Sequence, residues 1–162
     1  AGSSHLWNAV KVKNYSQEVL EKSGLLGSSN NDIYDRFRSR IMFPIWNASG
    51  KIIAFGGRVF GTDDPAKYMN SPETPLYRKS EIFYGLNLTR DAIRKNECAI
   101  MVEGYTDLIQ LFQAGIKNVV AVSGTAFTEK HVQQIRRFSS KVYLAYDGDS
   151  AGIKAALRAG YV

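Results

Sequence analysis

The amino-acid sequence predicts an α/β protein, in which a parallel sheet with crossover helices follows a small, basic α+β subdomain. From residue 97 onward, short apolar runs alternate with segments that have helical apolar spacing, which is typical of strands joined by right-handed crossovers. Before residue 97, the chain carries a hairpin signal, a long proline-containing loop and most of the net positive charge. We therefore expect two domains, at residues 1–96 and 97–162.

The first domain begins with a segment, residues 5–27, that is expected to be mostly helical. Within it, "SQEVLEKSGLLG" offers Ser16 as an N-cap and two glycines, Gly24 and Gly27, that can end a helix. "SSNND" is expected to be a polar linker. Two apolar, β-rich runs in "RIMFPIWNASGKIIAFGGRVF" then flank "NASG", which is a hairpin signal.

A loop is expected over residues 61–80, because this stretch holds three of the four prolines and has almost no periodicity. A loop of that length in a compact domain is usually functional or disordered. After this loop, a helix is predicted from about Leu88 to Lys95.

The second domain is predicted as three strands, each followed by a helix. The predicted strands are "CAIMV", "NVVAV" and "KVYLAY", and the predicted helices lie in "YTDLIQLFQAG", "TEKHVQQIRRF" and "SAGIKAALRAG". Thr128 is the expected N-cap of the second helix, and Gly115 and Gly160 are expected to end the first and third.

Charge and composition narrow the class of protein. The net charge is +6, and residues 36–95 alone hold 11 Lys and Arg against 5 Asp and Glu, which favours a polyanionic partner. No apolar run approaches a membrane span, no signal peptide is visible, and the single cysteine excludes an internal disulfide. We expect a cytoplasmic protein without a membrane partner and, because no initiator Met is present, a fragment of a longer chain.

Four acidic residues follow the predicted strands where each strand ends. Glu103 comes directly after "CAIMV", Asp107 lies in the first turn of the next helix, and Asp147 and Asp149 follow "KVYLAY". Ligands of parallel sheets bind at the carboxyl ends of the strands, so these side chains are expected to converge. Clustered carboxylates stay ionised together only with cations between them, and oxygen-only ligands favour Mg²⁺ or Mn²⁺.

Other interpretations of "DGDSAG" are weaker. An EF-hand loop would place Ala151 and Arg158 at ligand positions, and neither is a useful ligand. A phosphoaspartyl phosphatase would have Thr in place of Ala151. Alternatively, Asp147 and Asp149 could simply cap the helix that follows, which the helix dipole would favour. The two histidines, His5 and His131, lie in no ligand pattern and are expected to be surface or packing residues.

"VEGYTD" and "YDGDSAG", separated by 44 residues from Glu103 to Asp147, resemble the two signature motifs of the Toprim domain, which primases, topoisomerases and some nucleases share. The upstream stretches "YDRFRSRIMFPIWNASGKIIAFGGR", "KYMNSPET" and "YRKSEIFYG" narrow the resemblance to the RNA-polymerase core of bacterial DnaG-type primases. The resemblance runs from about Tyr34 to Gly160.

This resemblance implies a DNA-directed RNA polymerase that makes short RNA primers on single-stranded DNA from NTPs during replication. Its cofactors would be two or more Mg²⁺ or Mn²⁺ ions in the full enzyme, with zinc only in a module absent from this chain. Its partners would be the template, NTPs, the RNA primer and, within the primosome, the replicative helicase through a region absent here.

The resemblance also implies roles for individual residues. Glu103 would be the central catalytic metal ligand, Asp147 and Asp149 would complete the metal cluster, and Asp107 would be a supporting acid. The residues facing the nucleotide or template would be Arg58, Lys67, Tyr68, Asn70 and Lys79. Arg36 and Arg38 match arginines of the family's DNA-binding groove.

The chain also departs from a full primase. It has no Cys/His cluster, and the family's later acidic motif, with at least one more strand of the Toprim fold, would lie beyond Val162. The chain is therefore expected to hold only part of the metal site and to be inactive alone. The alternative function is a metal-free Toprim module that binds DNA or partners, as in recombination-mediator proteins.

Overall fold

The computed structural model describes residues 5–29 and 32–162, and the chain divides into two compact units. The first unit comprises Ala1–Pro44 and Ile53–Tyr77, and the second comprises Ile45–Ile52 and Arg78–Val162. None of the helices in the described ranges combines the length and apolar character that crossing a bilayer requires.

The first unit begins with two helices, α1 (His5–Lys11) and α2 (Gln17–Lys22). The predicted N-cap is confirmed, since the Ser16 side chain accepts a hydrogen bond from the Val19 amide. Gly24, at φ +68°, ends the helical region.

Two strands, β1 (Leu26–Ser29) and β2 (Asp32–Asp35), follow as an antiparallel pair. The expectation of helix up to residue 27, followed by a linker, is therefore wrong for this stretch; residues 30 and 31 of that linker lie outside the described ranges. Gly27 does not end a helix. A Cβ there would lie 2.6 Å from the Tyr34 ring, so glycine makes room for the ring across the pair.

A three-stranded sheet follows, with the order β3 (Arg40–Trp46), β4 (Ile52–Val59) and β5 (Tyr68–Asn70). The predicted hairpin is confirmed, and its turn is closed by Asn47 Oδ1, which accepts from the amides of Ser49 and Lys51. β5 lies inside the segment predicted as a loop and pairs antiparallel with β4. The remainder of that segment ends in a 3₁₀ turn, Lys79–Glu81.

The second unit contains the predicted α/β pattern. Its elements are α3 (Leu86–Asn96), β6 (Ala99–Val102), α4 (Tyr105–Gln113), β7 (Val119–Ala121), α5 (Glu129–Ile135), β8 (Val142–Leu144) and α6 (Ser150–Ala159). The predicted parallel sheet is confirmed, and its strands lie in the order β7-β6-β8. Thr128 caps α5, as expected.

The core of the second unit forms around β6 and β7. It consists of the buried side chains Phe83, Leu86, Ile93, Ala99, Met101, Val120, Val122 and Ile135. β7 is buried along its whole length, in agreement with the continuous apolar run that predicts it. Burial on both faces fixes the register of the strands, and the register in turn fixes the edge at which the acidic residues lie.

Candidate functional site

Glu103 and Asp147 lie at the same edge of the β7-β6-β8 sheet. β6 ends at Val102, and its pairing with the β8 side continues beyond β8, because the Ala145 amide donates to Met101 O at 2.8 Å. Two residues further, the Asp147 amide donates to Glu103 Oε1 at 3.0 Å. The structure thus brings together the two motifs that the sequence singles out.

Asp107 and Asp149 are held by the helices that follow the strands. Asp107 Oδ2 accepts from the Gly104 amide at 2.9 Å, at the start of α4. Asp149 is the N-cap of α6, and its Oδ1 accepts from the amides of Ala151 at 3.0 Å and Gly152 at 2.8 Å. These amides have no hydrogen-bond partner within a helix, so each carboxylate stabilises a helix N-terminus. The same hydrogen bonds hold the carboxylate in place.

Gly152 lets the first turn of α6 approach the acidic edge. A Cβ at this position would lie 2.2 Å from the backbone oxygen of Asp147. Any side chain would push Asp147 away from its bond to Glu103. In contrast, a Cβ at Gly148 would have no atom within 4 Å, so the space beside Asp147 is open.

The donor chemistry of this edge fits a hard divalent cation, but the side chains are not gathered around one point. Glu103 is half-buried, and Asp147 and Asp149 are exposed. Carboxylate oxygens are the ligands that Mg²⁺ and Mn²⁺ prefer. Within residues 5–29 and 32–162, no group of three His, Cys, Asp or Glu side chains is close enough together to hold a metal ion.

A cavity of about 230 Å³ opens beside Glu103. Its walls include Tyr146, Arg158 and the segment 124–127, which follows β7. Burial raises the pKa of Tyr146 to about 12, and the Glu103 charge adds to the shift, so the hydroxyl stays protonated at neutral pH. No sequence pattern marks these cavity residues, although Tyr146 directly precedes Asp147.

Four of the five predicted nucleotide-binding residues lie on or beside the β4–β5 pair of the first unit. Arg58 pairs in register with Tyr68, and its guanidinium lies 5.7 Å from the centre of the Tyr68 ring. Lys67 precedes β5 and is exposed, and Asn70 ends that strand. The fifth residue, Lys79, begins the 3₁₀ turn of the second unit.

Arg40 anchors the loop that leads to Lys67, and the sequence reasoning missed it. Its side chain is only 1% exposed, and it forms a 2.5 Å ion pair with Asp64. It also donates to Ala66 O at 2.8 Å, while the Ala66 amide donates to Asp64 Oδ1. No sequence spacing connects Arg40 to a loop 24 residues away, so only the folded structure could reveal this role.

The two predicted DNA-binding arginines have different environments. Arg38 is exposed, and its guanidinium lies 5.2 Å from the centre of the Tyr34 ring. Arg36 is half-buried, and its Nε is buried without a hydrogen-bond partner in the described part of the chain. Arg38 is therefore the more accessible of the two for a phosphate.

Comparison with known proteins gives consistent matches. The family model "DNA primase catalytic core, N-terminal domain" matches residues 1–90, and the Toprim domain model matches residues 97–161. DNA primase of Listeria monocytogenes is 48% identical over 144 residues, which are 88% of this chain and 23% of that protein.

Solved structures agree with the family models. The RNA polymerase domain of Mycobacterium tuberculosis primase DnaG has a TM-score of 0.89 at 37% identity, covering 100% of this chain and 55% of that one. A DnaG primase catalytic domain bound to ssDNA has a TM-score of 0.85 at 40% identity, covering 98% and 49%. The chain thus spans about a quarter of its curated relative and about half of these solved domains.

Proposed function

Because this chain belongs to the DNA primase catalytic core family and is a fragment of that core, we propose that it carries the acidic part of a site that synthesises RNA primers. The reaction is nucleotidyl transfer from NTPs on a single-stranded DNA template. The observation that carries the proposal is the hydrogen bond between the Asp147 amide and Glu103 Oε1, which unites the two Toprim motifs at one sheet edge.

We place the boundary between the basic subdomain and the Toprim domain after residue 96.

Membership of the Toprim family implies use of a divalent metal. In our proposal, Glu103, Asp147 and Asp149 hold Mg²⁺ or Mn²⁺. When bound, the ions would activate the primer 3′-hydroxyl and stabilise the leaving pyrophosphate. Asp107 supports Glu103 by fixing the Gly104 amide at the start of α4.

The basic residues are proposed to bind the nucleotide and the template. Arg58, Lys67 and Lys79 offset triphosphate charge, with Arg suited to bidentate contacts and Lys acting as a point charge. Tyr68 is 44% exposed and can stack on a base, while Asn70 can hydrogen-bond the nucleotide or template. Arg36 and Arg38 bind the template backbone, a proposal that the relative solved with ssDNA supports.

Further partners are proposed for the longer protein. The RNA primer would occupy the same site after the first transfer. A replicative helicase would bind through a region outside this chain, and zinc would belong to a module outside it. Because the curated relative is about four times longer than the matched segment, it has room for these parts.

A Mn²⁺ titration of the 162-residue chain, followed by electron paramagnetic resonance of free Mn²⁺, tests the proposal. We expect weak binding, at millimolar concentration, that Glu103→Gln reduces and Asp91→Asn does not, since Asp91 is an exposed acid on α3. If the chain binds no Mn²⁺, or if Glu103→Gln binds as well as wild type, the metal-site assignment is wrong. DNA binding without metal binding would favour the recombination-mediator type of module.

A further inference from the structure

The start of α5 is joined to the 3₁₀ turn that carries Lys79. Thr128 Oγ1 donates to Ser80 O at 2.7 Å. The ring of His131 bonds to the same segment, with Nε2 lying 3.3 Å from Ile82 O. One turn of α5 therefore binds two backbone carbonyls that lie just after Lys79.

An ion pair reinforces this attachment at the surface. Lys130 of α5 contacts the Glu81 carboxylate, and this hydrogen bond is the main cause of a lowered Glu81 pKa. Because both side chains are partly exposed, the pair contributes less than the two bonds made by Thr128 and His131.

His131 is completely buried and packs against two aromatic rings. Its ring centre lies 4.7 Å from that of Phe83 and 5.9 Å from that of Phe127, on which it stacks at an interplanar angle of 13°. Burial lowers the pKa of His131, so the ring is neutral at pH 7 and carries one proton. The ring lies between two acceptors, because Nδ1 is 3.0 Å from Thr128 Oγ1, whose own proton goes to Ser80 O, and Nε2 is 3.3 Å from Ile82 O. The single proton of the neutral ring can serve either contact, and both tie α5 to the segment that follows Lys79.

The same aromatic stack connects the turn to the cavity beside Glu103. Phe127 lines that cavity, and it stacks on His131. His131 therefore touches the cavity wall on one side and the Lys79-bearing turn on the other. Glu103 and Phe127 line the same cavity, and the contacts of Phe127 and His131 lead from that cavity to the backbone that follows Lys79.

We propose that His131 and Thr128 are positioning residues, which hold the Lys79–Glu81 turn in a fixed place so that Lys79 can meet the triphosphate of the incoming NTP. This inference rests on the nucleotide-binding role of Lys79 proposed above. A lysine has a long, flexible side chain, so a fixed backbone lowers the entropy that it loses on binding phosphate.

Steady-state kinetics of primer synthesis, in the complete primase that contains this chain, test the inference. His131→Phe keeps a buried ring but loses the bond to Ile82 O, so KM for NTP should rise about fivefold, the equivalent of one hydrogen bond, while kcat changes less than about twofold. His131→Gln should restore KM, because its amide can donate to the same carbonyl. Ile93→Val, a core change on α3, should leave KM unaltered.

Thr128→Asp provides a second test if His131→Phe folds poorly. The carboxylate still caps α5 but cannot donate to Ser80 O, so KM should rise with little loss of stability. Unchanged KM values in the folded variants would overturn the inference.

Lys79→Ala separates this inference from the proposed function. If Lys79→Ala raises KM and His131→Phe adds nothing in the double variant, positioning is supported, because the two residues act through one contact. If Lys79→Ala raises KM but His131→Phe and Thr128→Asp do not, the inference fails and the function of Lys79 stands. If Lys79→Ala has no effect, both assignments of Lys79 fail, whereas the metal-site proposal is untouched.

Discussion

The carboxylate of Glu103 accepts a 3.0 Å hydrogen bond from the backbone amide of Asp147, a residue 44 positions later in the chain. The bond uses only one oxygen of Glu103 and leaves the Asp147 carboxylate outside the contact. A substitution that keeps an acceptor oxygen at position 103 should therefore keep the local fold, which allows catalytic and structural roles to be separated.

Glu103→Gln should reduce primer synthesis by the complete primase about 100-fold or more, because a neutral amide cannot replace a carboxylate as a metal ligand. Its carbonyl oxygen can still accept from Asp147, so the melting temperature and single-stranded DNA affinity should stay near wild type. Incorporation of labelled NTP measures the first effect, and fluorescence anisotropy measures the second. Asp91→Asn is the matched control. Synthesis within about twofold of wild type in Glu103→Gln would refute the role of Glu103.

Asp149 should show separable contributions to stability and to metal binding. Asp149→Ala removes the N-cap of α6 and should lower the free energy of unfolding by about 1 kcal/mol. Asp149→Ser keeps a capping oxygen, so stability should largely return while Mn²⁺ affinity stays reduced. Urea denaturation and Mn²⁺ titration of the same samples provide the two measurements. If Asp149→Ser binds Mn²⁺ as tightly as wild type, Asp149 is only the N-cap of α6 and not a metal ligand.

Arg40→Ala should destabilise the first unit by about 2 kcal/mol, since it removes the charged hydrogen bond to Asp64, which is 39% exposed and can be hydrated once the arginine is gone. Loss of the bond to Ala66 should also make the loop before Lys67 easier to cleave by protease. Urea denaturation with limited proteolysis measures both effects. Asp63→Asn, at the exposed neighbour of Asp64, should change neither. A loop that resists protease in Arg40→Ala would contradict the anchoring role.

Binding of single-stranded DNA to the chain should weaken as salt rises, because phosphate contacts release counterions. Arg38→Gln should reduce the slope of log K against log salt by about 0.7, the value for one phosphate contact on a single strand. Fluorescence anisotropy at four salt concentrations measures the slope. Lys154→Gln, an exposed change on α6, serves as the control. An unchanged slope in Arg38→Gln would place the DNA path elsewhere.

Stability should fall as the pH drops below about 6.5, in part because of His131. Burial lowers its folded-state pKa, so below 6.5 the unfolded chain binds a proton that the folded ring resists. Three weaker effects oppose burial and favour the protonated ring: the backbone hydrogen bonds to Ile82 and Lys79, and the charge of the Glu81 carboxylate. Glu81 has a lowered pKa, so its own protonation should reduce stability only below about pH 4.5.

Urea denaturation at pH 7.5, 6.5 and 5.5 tests the contribution of His131. His131→Phe should flatten the pH dependence in this window, whereas His5→Gln, at an exposed histidine, should not. An identical pH dependence in wild type and His131→Phe would show that other groups are responsible.

The parallel sheet was predictable because its strands are short apolar runs, of which β6 and β7 are largely buried. The strand pairs β1–β2 and β4–β5 were not, since the stability of strands such as Tyr68–Asn70 comes from a partner distant in sequence. The motif pair at the sheet edge was predictable from strand ends. The sequence is compatible with both metal binding and helix capping by Asp149, and the structure shows the capping. The buried contacts of Arg40 and His131 depend on tertiary neighbours that no local pattern encodes.

The two outer edges of the parallel sheet differ in how they meet solvent. The β7 edge is closed by Tyr84, which exchanges two backbone hydrogen bonds with Ala121, whereas within the described ranges β8 pairs only with β6. On β8 itself, the Tyr143 side chain is 59% exposed. An open strand edge that carries an exposed aromatic side chain is a template for intermolecular pairing. Purified samples of this chain should therefore self-associate as their concentration rises, and titrations are best done in dilute solution.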